Sequence, residues 1–203
     1  MWAVENLQEL AEAVVSRLFV ELEASGRHVH VTREQAQALF GHCLTPERPL
    51  SQPGQFLARE RVTLRGPKGE FRDVAVLGPE RKEAQVEISL TDGRSLGIPA
   101  PVRLSGNVSG SPGAVLSGPM GTVELGEGVI VAQRHIHLTP EAAVRFGVQD
   151  GQRVKLRTFT DRPLIFEDVV VRVSDQFSPY AHLDYDEANA CGFRKGDLGR
   201  ILT

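Results

Sequence analysis

Four of the six histidines in this 203-residue chain stand in two Arg-His-x-His pairs, His28 with His30 and His135 with His137. In an extended strand, residues two apart project from one face, so each pair presents two imidazoles side by side. Imidazole is the commonest side-chain ligand for zinc-like ions, and two on one strand can chelate a single ion. An isolated His-x-His is also an ordinary surface pattern, because a short motif matches by chance. Repetition decides against chance here. RHVHVTREQAQALFG from Arg27 and RHIHLTPEAAVRFGV from Arg134 share Arg-His-β-branched-His-apolar-Thr, a short helical pattern and then Phe-Gly. Such self-similarity points to two related structural halves.

Two imidazoles do not complete a zinc site, which takes three protein ligands and an open position when it is catalytic. Glu87, central in the strand pattern AQVEISL, and His182, in YAHLDYDEANACG, are the candidate third ligands. An inward carboxylate among apolar residues is costly unless paired, and a metal would satisfy it; an exposed strand residue is the alternative for Glu87. Asp184, Asp186 and Glu187 follow His182 as acceptors for a ligand's second ring nitrogen, or as the acidic start of a short helix ending at Gly192. Two such centres would suit an anionic oxygen substrate, which metal ions clamp and polarise. Arg27, Arg81, Arg103 and Arg134 lie near these segments, and a guanidinium grips phosphate as a two-toothed fork. Arg81, in Gly-Pro-x-Arg, is the most site-like of the four, although surface exposure accounts for many arginines in a chain with 19 of them. Cys191 has no base beside it in sequence and reads as a buried, inert thiol. LSQPGQF, from Leu50 to Phe56, is either a plain turn or a cradle for a polar ligand. The chain carries no dinucleotide fingerprint, P-loop or nucleophile elbow.

The elements that must position these groups are mostly short strands. RHVHV, RVTLR, DVAVLG, AQVEISL, TVELG, VIVAQRHIHL, RVKLRTF and DVVVRV are β-branched and bounded by turn residues. Short helices are expected after the two histidine strands, capped by Thr32 and Thr139, the second with Pro140 at its first position. Leu7, Leu10, Val14, Leu18 and Leu22 recur at helical spacing and predict one long helix between Asn6 and Ser25, stopped by Gly26. The expected fold is therefore mainly β, with small barrels or a sandwich, short helices and an N-terminal helix. Composition narrows the function. A net charge of -3 offers no basic surface for nucleic acid, and no apolar run reaches the ~18 residues of a membrane span. Two cysteines make no disulfide framework, and Glu5 sits where a signal peptide would be positive, so a cytoplasmic location is expected.

RHVHVT, LSQPGQF, VLGPER, QVEISLTD, LGIPAPVRLSG, GVIVAQRHIHLTP and HLDYDEANACG occur in the order and approximate spacing of the PduL-type phosphotransacylases. The chain resembles these phosphate propanoyltransferases from about Ser25 to the C-terminus. The resemblance implies two β-barrels with short capping helices. Residues 1–26 with 133–203 would form one, 27–132 the other, and 39–59 an inserted segment; a strand near 16–26 is also implied. It implies a dinuclear zinc site, with His28, His30 and Glu87 on one ion and His135, His137 and His182 on the other. Arg81 matches the phosphate-binding arginine, and Ser25, Arg48, Leu77, His182 and Asn189 match coenzyme A contacts. Short-chain acyl-CoA (acetyl-CoA or propionyl-CoA) plus phosphate would exchange with acyl phosphate plus CoA, in a homodimer. There are departures. Arg48 stands where many relatives have lysine, and Ala75 where they often have an arginine, so one coenzyme A phosphate contact is in doubt. No separate targeting helix is visible before the structural helix, which implies a free cytoplasmic enzyme. The rival reading of the same residues is a dinuclear-zinc hydrolase of a phosphate ester or amide, with water in place of phosphate as nucleophile.

Overall fold

A computed structural model describes residues 2–203, and the side chains of residues 7–11 and 13–203. Helix α1 (Trp2–Leu18) opens the chain, and strand β1 (Val20–Ser25) follows at once. The helix is shorter than the leucine spacing predicts. In Val20-Glu21-Leu22-Glu23 the period changes to two, with Val20 and Leu22 buried and the glutamates half-buried. A leucine four residues after Leu18 fits either period, so helical spacing alone carries the pattern past its end. Leu7, Leu10, Val14 and Leu18 are all exposed on α1, whereas Leu22 belongs to a core. Among the described residues no helix is long and apolar enough to cross a membrane.

The chain clusters into two compact units, and the second is continuous in sequence apart from residues 184–186. It contains β2 (His28–His30), α2 (Arg33–Phe40), β3 (Pro46–Pro49), β4 (Phe56–Arg65), β5 (Glu70–Gly78) and β6 (Gln85–Ile88). Then come α3 (Leu90–Leu96), β7 (Val102–Arg103), β8 (Ala114–Ser117), β9 (Thr122–Leu125) and β10 (Val129–Ala132). The strands form one nine-stranded sheet, β7-β10-β6-β2-β5-β4-β8-β9 with β3 beside β4, curled into a half-barrel. Val29, Leu39, Leu64, Leu96 and Leu116 fill its concave core with no exposure to solvent. Residues 39–59 supply the end of α2, β3 and the start of β4. LSQPGQF is the β3–β4 turn, closed by Leu50 N–H on the Gln55 carbonyl at 3.0 Å. Its Phe56 ring lies where a side chain on Gly78 would stand, a Cβ there falling 2.2 Å from Phe56 Cζ.

The chain then returns to the first unit with β11 (His135–Leu138), α4 (Pro140–Phe146), β12 (Arg153–Phe159), β13 (Ile165–Val173), β14 (Tyr180–Asp184), α5 (Tyr185–Cys191) and β15 (Leu198–Leu202). With β1 these strands close a six-stranded barrel, β1-β14-β11-β13-β12-β15. Leu22, Ile136, Leu138, Leu156 and Leu183 pack inside it. The closure depends on β1, which pairs antiparallel with β15.

The internal echo seen in sequence is an echo in topology. β2 lies between a parallel neighbour, β5, and an antiparallel one, β6. β11 likewise lies between parallel β13 and antiparallel β14. Each histidine strand leads through a threonine cap into its helix: Thr32 accepts from Gln35 N–H, and Thr139 from Ala142 N–H. Gly41 and Gly147 end those helices at φ 79° and 66°, the left-handed conformation that a residue with a Cβ adopts only at a cost. Helix α3 is absent from the sequence expectations, which ran a strand through Leu90. Its signal is the capping box Ser89-x-x-Asp92, in which each side chain bonds the other's backbone N–H.

Candidate metal centres

In the half-barrel, His28 and His30 project from one face of β2, and antiparallel pairing puts Glu87 of β6 directly across from His28. All three are at least 90% buried. His28 Nδ1 is 2.8 Å from the Gly26 carbonyl and His30 Nδ1 3.2 Å from that of Leu77. A carbonyl only accepts, so each Nδ1 is the donor in its contact. His28 Nε2 lies 3.6 Å from Glu87 Oε2. Burial, the charge of the His28 neighbour and the Arg81 guanidinium together hold the His30 pKa well below its ordinary value, so this imidazole is neutral at pH 7.

The closed barrel repeats the arrangement with a different third residue. His135 of β11 lies directly across from His182 of β14, and the rings of His135, His137 and His182 are 4.6–4.9 Å apart between centroids. His137 stacks on Phe177 at 4.0 Å. Burial pushes the His137 pKa down to about 3, aided by the charges of His135 and Arg172. Both of its ring nitrogens are buried with no hydrogen-bond partner. A buried polar atom without a partner costs about 1–3 kcal/mol, and a metal ion is a partner that a neutral imidazole can accept. In each set the three donor atoms lie within 4.8 Å of one another. The donors are nitrogen-rich with one carboxylate at most, which suits zinc or a similar borderline ion rather than calcium or magnesium.

Several neighbours were not legible in the sequence. Glu23 of β1 places Oε2 3.2 Å from His182 Nδ1, a carboxylate–histidine contact of the kind that orients metal ligands. Of the acids following His182, Glu187 instead pairs with Arg134. Gln85 and Ser105 form a hydrogen-bonded group beside Glu87. Arg172 faces His137 across the parallel β11–β13 ladder.

The four arginines separate clearly. Arg27 binds buried Asp92 through two nitrogens, at 2.7 and 3.1 Å, and covers the Phe71 ring. Arg134 donates to the Glu167 carbonyl and pairs with Glu187, and Arg103 donates to the Ser109 carbonyl. The charge of Arg81 acts on His30 of the half-barrel set, and its side chain reaches Ser105 Oγ at 3.4 Å. The residues matched to coenzyme A contacts are distributed over both units: Ser25, Arg48 and Leu77 in the half-barrel unit, His182 and Asn189 in the barrel unit. Arg48 and Asn189 are exposed, and Ala75 lies beside His28 in the β2–β5 ladder. Cys191 is fully buried, its Sγ donating to the Ala188 carbonyl at 3.4 Å, and burial raises its pKa. That is the opposite of what an activated nucleophile needs.

Comparison with known proteins bears on the same residues. A family model described as phosphate propanoyltransferase matches residues 21–194. A phosphate propanoyltransferase of Enterococcus faecalis is 52% identical, over 98% of this chain and 98% of its own. One of Clostridioides difficile is also 52% identical, over 98% of this chain and 99% of its own. One of Thermotoga maritima is 51% identical over 88% of this chain and 86% of its own. The match spans both histidine ladders and the segment that carries Arg81, and the chain belongs to the phosphate propanoyltransferase family.

Proposed function

We propose that the chain is a phosphotransacylase that reversibly converts a short-chain acyl-CoA and phosphate into acyl phosphate and free CoA, with two zinc ions per chain, one on each histidine set. The observation that carries the reading is the repeated ladder of clustered histidines, found in a chain of this family. His28, His30 and Glu87 would hold one ion, and His135, His137 and His182 the other. Zinc bound there would act as a Lewis acid toward phosphate and carbonyl oxygens.

Arg81 supplies a fixed positive charge for the phosphate. A phosphate oxygen attacks the thioester carbonyl carbon; a C–O bond forms, the C–S bond breaks, and the electron pair leaves on the CoA sulfur. The proton of hydrogen phosphate ends on that sulfur, so atoms and charge balance without a protein nucleophile. Holding phosphate and thioester together supplies the proximity advantage. Ser25, Arg48, Leu77, His182 and Asn189 are read as CoA contacts from the resemblance, which also supports a homodimer. The two free cysteines support a cytoplasmic setting.

The test is thiol release from acetyl-CoA and propionyl-CoA by the zinc-loaded protein, with and without phosphate. Release that requires phosphate and yields acyl phosphate is expected, and the ratio of the two rates gives the acyl preference. Phosphate-independent release would make the protein a thioesterase and overturn the reading. Cys191→Ala should keep turnover within about threefold of wild type, because the buried thiol takes no part in a direct transfer. An isolable acyl-enzyme that disappears in this variant would contradict the direct mechanism.

A further inference from the structure

We infer that Gln85 is a positioning residue that fixes both the Glu87 carboxylate and the support of the Arg81 guanidinium; the inference rests on the phosphotransacylase reading above. In the β2–β6 ladder, Glu87 lies across from His28 and Gln85 across from His30. Gln85 and Glu87, two apart on one strand, share a face. Gln85 thus holds the fourth corner of a square whose other corners are the candidate ligands.

Its amide is fully used. Gln85 is 3% exposed, and its Oε1 accepts the backbone N–H of Gly106 at 2.7 Å. Only the carbonyl end of an amide can accept, so the orientation is fixed and Nε2 carries both donors. One goes to Glu87 Oε1 at 2.5 Å and the other to Ser105 Oγ at 2.8 Å. The same Ser105 oxygen accepts Arg81 at 3.4 Å. With Oε1 tethered to Gln85, the other Glu87 oxygen is the one turned toward His28 Nε2, 3.6 Å away. A single side chain therefore orients a metal-ligand carboxylate, anchors the start of the glycine-rich loop after Ser105, and through that loop supports the phosphate arginine. A buried polar group with every bond made is rigid, and one with a bond missing is costly, so the arrangement has a single low-energy geometry.

The fold does not itself require an amide there. In the barrel's equivalent ladder the corresponding corner, across from His137, is Tyr180. The amide is found where the third ligand is a carboxylate and the phosphate arginine is near.

Gln85→Met, of similar length with no donor, and Ser105→Ala separate the two branches. Zinc per chain is measured by atomic emission, zinc affinity by competition with a chromophoric chelator, and KM for phosphate and kcat separately by thiol release. In Gln85→Met one of the two zinc ions should weaken by about 10–100-fold, the range for loss of an outer partner of a ligand, and KM for phosphate should rise. Ser105→Ala should raise KM for phosphate while binding both ions with wild-type affinity. If Gln85→Met fails to fold, Ser105→Ala still decides, because an unchanged KM for phosphate would overturn the link to Arg81. Lowered thermal stability with unchanged zinc affinity and unchanged KM would reduce Gln85 to a packing residue. Wild-type protein that neither binds two zinc ions nor needs phosphate would instead overturn the functional reading; a competent wild type with an indifferent Gln85→Met overturns this inference alone.

Discussion

His137→Leu should bind one zinc ion per chain where wild type binds two, and should have no measurable phosphate-dependent thiol release. The loss in affinity at that set should exceed the ~10–100-fold that follows removal of an outer partner, since here a ligand itself is gone. A second effect has the opposite sign. His137 buries two ring nitrogens without hydrogen-bond partners and stacks on Phe177. Its burial also suppresses the imidazolium, so no charge interaction offsets the loss of water. Leucine removes that penalty, worth about 1–3 kcal/mol for an unsatisfied buried group. Metal-free His137→Leu should therefore melt at or above metal-free wild type, while wild type gains far more stability from added zinc. Those two melting curves, with and without chelator, make the check. A variant less stable than wild type without metal, and still binding two ions, would show that His137 is a core residue and not a ligand.

Which parts of this site could be read from the sequence follows from the distance over which each is determined. His28, His30, His135 and His137 are legible because strand geometry at spacing two is local, and because the pattern occurs twice. Glu87 is half legible: its apolar neighbours suggest burial, but the pairing that sets it across from His28 joins residues far apart in the chain. Glu23 was hidden by the leucine spacing that merged β1 into the helix; its partner His182 is distant in sequence. Gln85 looked like any polar residue in a strand, since its function depends on a loop 20 residues later. Barrel closure is non-local in the same way. It depends on Val20 and Glu21 meeting Gly199 and Leu198, the two ends of the chain. Arg81 stands out among four arginines for its turn, and what marks it physically is that its charge acts on buried His30.

Arg81→Ala should lower kcat/KM for phosphate by about 10²–10³, the cost of removing one preorganised charge or donor from a transition state. Zinc content should stay at two per chain. The argument begins with the substrate: phosphate brings its own negative charge to a thioester carbonyl whose oxygen gains charge during attack. A fixed guanidinium holds that charge without reorganising, and in the partly buried setting beside His30 it is screened less than in water. Its backbone is tied down as well, with Arg81 N–H on the Val31 carbonyl at 2.9 Å, one residue past the β2 histidines. Arg81→Lys keeps the charge but loses the planar fork, so it should fall between wild type and alanine. The defect should appear mainly in KM for phosphate if Arg81 binds ground and transition states alike, and in kcat if it acts chiefly on the transition state. KM for acyl-CoA should be little changed in either case. Guanidinium added to Arg81→Ala should restore part of the lost rate, which a defect in folding would not permit. Wild-type phosphate kinetics in the alanine variant would mean that another group holds the phosphate, and Arg172, whose charge acts on His137 in the barrel, would be the next residue to replace.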